Sequence, residues 1–509
     1  MGARKAHGLV PQAPVRAEPV EALSFTSSIK RRTALRQAQG ERWFLRSLLA
    51  LLAGGAALAA APAAAQTVAI AGGTVALGDG SEPIQGGIVV IRDGRIVAAG
   101  RGVAVPAGAQ VVDATGKWVT PGIVAGFSRV GLVEVDAVDA ANDVSARNSP
   151  FSAAIDVAPA INPKAQPIAV NRAGGVTRAI VAPGTAKSIF AGQGAVIDLG
   201  ADMNPITRAR AFQFVEFGED GTQDAGGSRA AAHVLFRNAL REAADLGRRT
   251  GVSSSGAARA ATANDQRTLP LEDQPDNSLL AAGRTRPQDV LLTRFDAAAL
   301  VPVLQGRQLL MVHVERASDI LQTLALRKEF PNLRLVLVGA AEGWTVAKDI
   351  AAAGVPVIAS ALDDLPNSFE ELASTQSNIG RMRAAGVHVS IGMIGDNEAR
   401  QVRQARQYAG NLVAIARLPG ATGLTWGQAL ETITSAPAEA VGLGGEIGSL
   451  RPGRRADVVV WDKDPLENGA AAQLVLIDGV QQPLSNHQTK LRDRYRTLPE
   501  GALPKAYDR

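Results

Sequence analysis

Between residues 176 and 434 short β-branched runs alternate with amphipathic stretches, and this alternation limits the fold more than any other feature of the chain. Val176–Val181 and Leu309–Val314 read as strands, as do residues 333–338, 355–360 and 387–391. Residues 230–246, Ala317–Glu329, 345–353, 409–416 and 428–434 carry apolar residues at helical spacing. Strands separated by helices cannot pair as hairpins, so the pattern predicts a mostly parallel sheet, open or closed into a barrel. Residues 216–285 are rich in Gly, Ser, Asp, Gln and Ala and read as a long excursion holding one helix.

The two ends of the mature chain read differently. Near the start, Gly87-Ile88-Val89-Val90-Ile91 runs into Asp93-Gly94 and then Arg95-Ile96-Val97, a hairpin signal. Near the end, Ala456-Asp457-Val458-Val459-Val460-Trp461 is followed by Gln473-Leu474-Val475-Leu476-Ile477 and Asp478-Gly479. Two β segments of one style at opposite ends predict one small β domain built from both. The expected organisation is a leader (1–65), a first β-sandwich segment (66–119), a barrel (120–446), a second β-sandwich segment (447–490) and a polar tail (491–509).

Composition removes several kinds of chemistry. There is no cysteine, which excludes disulfides, thiolate metal sites and a Cys nucleophile. Only His7, His233, His313, His388 and His487 could offer imidazole. The net charge of +5 comes from the leader, where nine Lys/Arg face three acids, so no nucleic-acid partner is expected. Arg42 and Arg46, the apolar run at 48–61 and Ala63-Ala64-Ala65 read as a secretory signal cleaved near Ala65. The expected location is therefore exported, periplasmic or secreted.

Several motifs resemble the amidohydrolase superfamily, in particular its imidazolonepropionase-like subgroup. Trp118-Val119-Thr120-Pro121-Gly122-Ile123-Val124 is similar to the entry into that family's barrel. Gly175-Val176-Thr177 and Ala191-Gly192-Gln193-Gly194-Ala195-Val196 resemble later motifs. Gly448-Ser449-Leu450, Gly453, Ala456–Trp461 and Asp464-Pro465-Leu466 resemble its tail. The resemblance covers residues 66–490 and implies an α/β fold: a distorted (β/α)8 TIM-like barrel with a small β-sandwich formed by both chain ends.

The same resemblance implies metal-assisted hydrolysis of carbon–nitrogen bonds, with ligands at the C-terminal ends of barrel strands. The usual first-strand His-x-His pair falls on Phe127 and Arg129, which cannot ligate a metal. The strand-five position falls on His313, the strand-six position on Gly339. Asp396 stands near the strand-eight position, as a metal ligand or as the cap of the next helix. The expected metal ligands are thus His313 and Asp396, with Asp396 and Glu315 as candidate acid/base groups and at most one zinc-like divalent ion. Arg129 is expected to direct its guanidinium toward Asp396 or Glu315 in place of the metal's charge. Glu315 and Arg316 could instead pair with each other at the strand end.

Glu134, Asp136, Asp139 and Asp143 read as a solvated loop. Gly192-Gln193-Gly194 lacks the remaining glycine and helix of a dinucleotide loop and reads as a turn. Two functions compete. One is a hydrolase of small amides, N-acyl amino acids or dipeptides with an altered centre. The other is a non-catalytic paralogue that binds a small molecule or partners a homo-oligomer or an intact homologue.

Overall fold

The computed structural model describes residues 67–135, 138–249, 291–361, 363–395 and 398–496. The leader, residues 250–290, Asp136 and Asp396 lie outside the described residues. The described residues from 67 onward belong to one compact unit.

The chain begins with β1 (Val68–Val75), antiparallel to β2 (Ile84–Arg92), which turns into β3 (Arg95–Gly100). Asp93 and Gly94 make that turn with φ of 52° and 70°, the left-handed pair a two-residue hairpin of this hand needs. β4 (Gln110–Asp113) and β5 (Trp118–Pro121) then run parallel to β1.

A second sheet follows. It consists of β6 (Ile123–Ser128), β7 (Val176–Val181), β8 (Phe190–Asp198), β9 (Ile206–Glu216), β10 (Leu309–Val314), β11 (Leu335–Gly339), β12 (Val357–Ala359) and β13 (Val389–Ile391), hydrogen-bonded in chain order. The two edges approach closely: a Cβ on Gly126 would lie 2.4 Å from the Ile391 carbonyl oxygen. The sheet is therefore a nearly closed eight-stranded barrel. It is not all parallel, because β8 is antiparallel to both β7 and β9.

Finally β14 (Val458–Trp461) pairs antiparallel with β5, and β15 (Ala472–Ile477) and β16 (Val480–Gln481) extend that edge. Both chain ends thus share one sheet, with Trp461 opposite Trp118 and the Trp461 indole donating to Thr120 Oγ1 at 2.9 Å.

Two sequence expectations are corrected. Gly192 to Gly194 lie inside β8 rather than in a turn. Glycine is required there because β8 passes under the ring of Phe212, 2.0 Å from where a Cβ on Gly194 would stand. The helix Arg229–Arg249 is no detached excursion either. Its Ala232, Phe236, Ala239, Leu240 and Ala243 are buried in the main core, because the segment returns through Arg294–Leu304 to pack against it.

The barrel interior is filled by apolar side chains. Phe127, Ile180, Phe214, Met311, Val338 and Ile358 form one cluster, with the Phe127 and Phe214 rings 5.5 Å apart. One buried charge ties the barrel to the end sheet. Arg178 of β7, fully buried, donates to Asp457 at 2.7 and 3.0 Å, to Asp478 at 2.9 Å and to Thr207 at 2.8 Å, with Asp198 at 3.4 Å. Four partners satisfy most of the guanidinium's donors, the condition for holding a charge out of water. Among the described residues no helix is long and apolar enough to cross a membrane.

Candidate functional site at the barrel mouth

Apart from Asp396, which lies outside the described residues, the positions singled out in the sequence lie at or just beyond the C-terminal ends of β6, β10 and β11. His313, the penultimate residue of β10, sits between two carboxylates: Nδ1 lies 2.6 Å from Glu216 Oε1, and Nε2 lies 2.8 Å from Glu315 Oε1. An ionised carboxylate can only accept, so both ring nitrogens must donate and the ring is an imidazolium. Burial opposes that charge. The charge on Glu216 and hydrogen bonds to both carboxylates outweigh it and hold His313 well above its ordinary value. Each carboxylate is held in turn by a backbone amide: Gly218 N–H donates to Glu216 Oε1 at 2.8 Å, and Ala341 N–H to Glu315 Oε2 at 2.7 Å.

Glu315 therefore does not pair with Arg316, whose guanidinium turns to Asp319 at 2.8 Å. Gly339 explains the position of Glu315. It ends β11 at φ 90°, and a Cβ there would stand 2.2 Å from Glu315 Oε1. The carboxylate thus occupies the space in which a side chain on residue 339 would begin.

Phe127 is 1% exposed and belongs to the barrel interior. Arg129 lies above it, its guanidinium carbon 4.9 Å from the Phe127 ring centre and 5.8 Å from that of Phe214. It donates to the carbonyls of Ala182 and Pro183. The expectation that Arg129 meets Glu315 is corrected, since that carboxylate is taken by His313 and the Ala341 amide. Asp396, its other expected partner, lies outside the described residues.

Further acids close this end. Glu370 accepts from Glu219 N–H at 2.9 Å and from Arg229 at 2.9 Å, and Arg229 also reaches Asp319 at 2.9 Å. Burial pushes Glu370 and Glu371 above the usual carboxylate range. Glu216 and Glu370 were not legible as site residues: each is one acid in an otherwise unremarkable segment, and only the barrel brings them to His313. Among the described residues no group of three or more His, Cys, Asp and Glu is arranged to hold a metal ion. Glu134, Asp139 and Asp143 are exposed, in keeping with a solvated loop.

Comparison with known proteins adds kinship. The model of the Amidohydrolase family matches residues 340–482. Amidohydrolase tasK of Hapsidospora irregularis is 26% identical over 425 residues, covering 78% of this chain and 39% of that protein. This chain thus matches well under half of that relative's length. Imidazolonepropionase of Acidiphilium cryptum is 26% identical over 402 residues, covering 75% of this chain and 89% of that one. The crystal structure of an amidohydrolase from Thermotoga maritima superposes with a TM-score of 0.67 at 23% identity, over 81% of this chain and 99% of that one. At that identity the likeness is one of fold. The family match spans β12 to β16, under a third of the chain, and the likeness to the Thermotoga protein is one of barrel fold.

Proposed function

We propose that this chain is an amidohydrolase-superfamily protein whose barrel mouth takes up a small carbon–nitrogen compound without the family's metal-activated water. One observation carries the reading: the Glu315 carboxylate fills the space of a side chain at residue 339 while binding His313 Nε2. The strand-six position can then offer no ligand, and His313 has no free lone pair for a metal. Phe127 and Arg129 supply no donor at the first-strand positions. These residues do not fit the family's metal, so no step is routed through one. Arg129 instead provides a fixed positive charge at the mouth. The ligand class follows from kinship: small amides, N-acyl amino acids or dipeptides, in the manner of the imidazolonepropionase-like subgroup.

The proposal extends to location and partners. The basic and apolar leader supports export to the periplasm or beyond. A member lacking its own metal centre suits a homo-oligomer or a complex with an intact homologue. A second reading, a hydrolase with an altered centre, is favoured by the His313–Glu315 pair at the mouth, which could move a proton.

Elemental analysis of protein purified without chelator, with hydrolysis assays on N-acyl amino acids, separates the two. The first reading expects neither stoichiometric metal nor turnover from a folded protein. Zinc, manganese or iron at one per chain, with turnover lost in His313→Ala, would overturn it. Turnover that survives chelator but not Glu315→Gln would establish the second.

A further inference from the structure

A cavity of about 360 Å³ lies beside the barrel, lined by residues 146–155, 184–191, the helix Arg229–Arg249 and the start of Arg294–Leu304. None of Arg129, Glu216, His313, Glu315 or Gly339 lines it, although its loop 184–191 follows β7 and its Asp224 lies within electrostatic reach of Glu216. Its size falls in the range of small-molecule clefts, roughly 300–1,000 Å³. About half of the lining is apolar, with Ile155, Ile189, Phe190, Leu235, Ala239 and Leu292 contributing walls. At the rim Phe151 packs edge-on against Phe295, ring centres 5.8 Å apart, and Phe295 is 71% exposed.

The charged groups in the lining differ in how much they are already bound. Asp296 is satisfied by the amides of Ser152 and Ala154 and the hydroxyl of Thr293, at 2.9, 2.8 and 2.6 Å. It holds the wall together and leaves little for a ligand. Lys187 is exposed on the loop after β7, and Asp224 is half-buried at the end of the helix Glu219–Asp224, its carboxylate bound on one side by the Thr185 side chain. One cation and one carboxylate on an apolar cleft complement a molecule carrying both charges and an apolar body.

We propose that this cavity binds a free amino acid with a large apolar side chain, its carboxylate at Lys187, its ammonium at Asp224 and its side chain among Ile189, Phe190 and Leu235. The barrel-mouth reading is independent of this site, and either can fail alone. An ammonium salt-bridged to a half-buried carboxylate gains more than one paired in open water. The two charges fix the orientation, and the apolar wall selects side-chain size.

The test is isothermal titration calorimetry of the full chain with leucine, phenylalanine, 4-methylpentanoate and 3-methylbutylamine. Leucine or phenylalanine should bind at one site per chain, and each single-charge analogue should bind at least about tenfold more weakly. Lys187→Glu, an exposed loop change, should weaken leucine binding by a similar factor. Ala186→Trp should abolish it by filling the cavity, with melting temperature unchanged in both variants. Glu315→Gln at the mouth should leave it intact. Absence of binding by either amino acid at millimolar concentration would overturn the proposal. So would binding that ignores both loop variants, or the two analogues binding as well as leucine.

Discussion

Replacing Arg178 by Met removes the cation that three carboxylates share. Asp457 is 4% exposed and Arg178 is its bidentate partner, so the variant leaves a buried carboxylate with only the Asp478 amide, at 2.9 Å, in place of the guanidinium. Breaking a buried pair by removing one partner costs about 3–5 kcal/mol, most of it the stranded charge. A folded chain of this size has an unfolding entropy of roughly 0.9 kcal/mol per kelvin, so the melting temperature should fall by about 3–5 °C. The origin of that loss can be isolated. Asp457→Asn added to Arg178→Met neutralises the stranded carboxylate and should recover about half of it, a non-additivity of at least about 1.5–2.5 kcal/mol. Arg178→Lys should lie between wild type and Met, because an ammonium keeps the charge but not the two-pronged geometry. Differential scanning fluorimetry and urea unfolding of these four proteins and of the Asp457→Asn single variant give both quantities. An Arg178→Met protein within about 1 °C of wild type would show that the hub does not hold the end sheet to the barrel. Strict additivity of the two changes would refute the stranded-charge account.

Other outcomes follow from the barrel. Gly339→Ala forces a left-handed alanine against Glu315 and should cost about 1–3 kcal/mol; Glu315→Ala in the same chain should return part of that loss in a thermal melt, and no return would disprove the contact. Phe127→Ala should cost about 3–5 kcal/mol by opening a cavity between Phe214 and its neighbours, seen as a lower urea midpoint; a cost under about 1 kcal/mol would mean the interior collapses to fill it. The folded-state value of His313 is raised, so its stabilisation is fully present below about pH 6.5 and is lost as pH rises through that raised value. The stability gap between wild type and His313→Gln should therefore narrow on the alkaline side, and a gap that stays constant to about pH 10 would contradict the imidazolium.

Most strands and helices after residue 300 were legible, but the short helices Asn378–Ala384 and Ser435–Ala440 carry too few turns to show a period and were not. Leu309–Val314 and Ala317–Glu329 stand at the bounds the sequence implies. The hairpin at Asp93-Gly94 was equally plain, since its turn needs residues that tolerate positive φ. β8 was hidden. Its glycines mimic a turn, and only the Phe212 ring above Gly194 explains them. His313 was singled out from the motif around it, but its occupation by two carboxylates was not legible. Glu216 lies 97 residues away in sequence and reaches the ring only because β9 and β10 pair in parallel with His313 opposite Glu216. Glu315 was named, yet its direction depends on Gly339, and nothing local tells a glycine required by a neighbour's carboxylate from one required by a turn.

The pairing of β5 with β14 also sets a clock. Thr120 and Trp461, joined by a hydrogen bond, are 341 residues apart. At about 5–20 residues per second, a ribosome needs roughly 20 to 70 s to make the second partner after the first has emerged. Throughout that interval β5 offers an unpaired edge beside a half-built sheet, a template on which another nascent chain could add a strand. Only the late synthesis of β14 (Val458–Trp461) covers it.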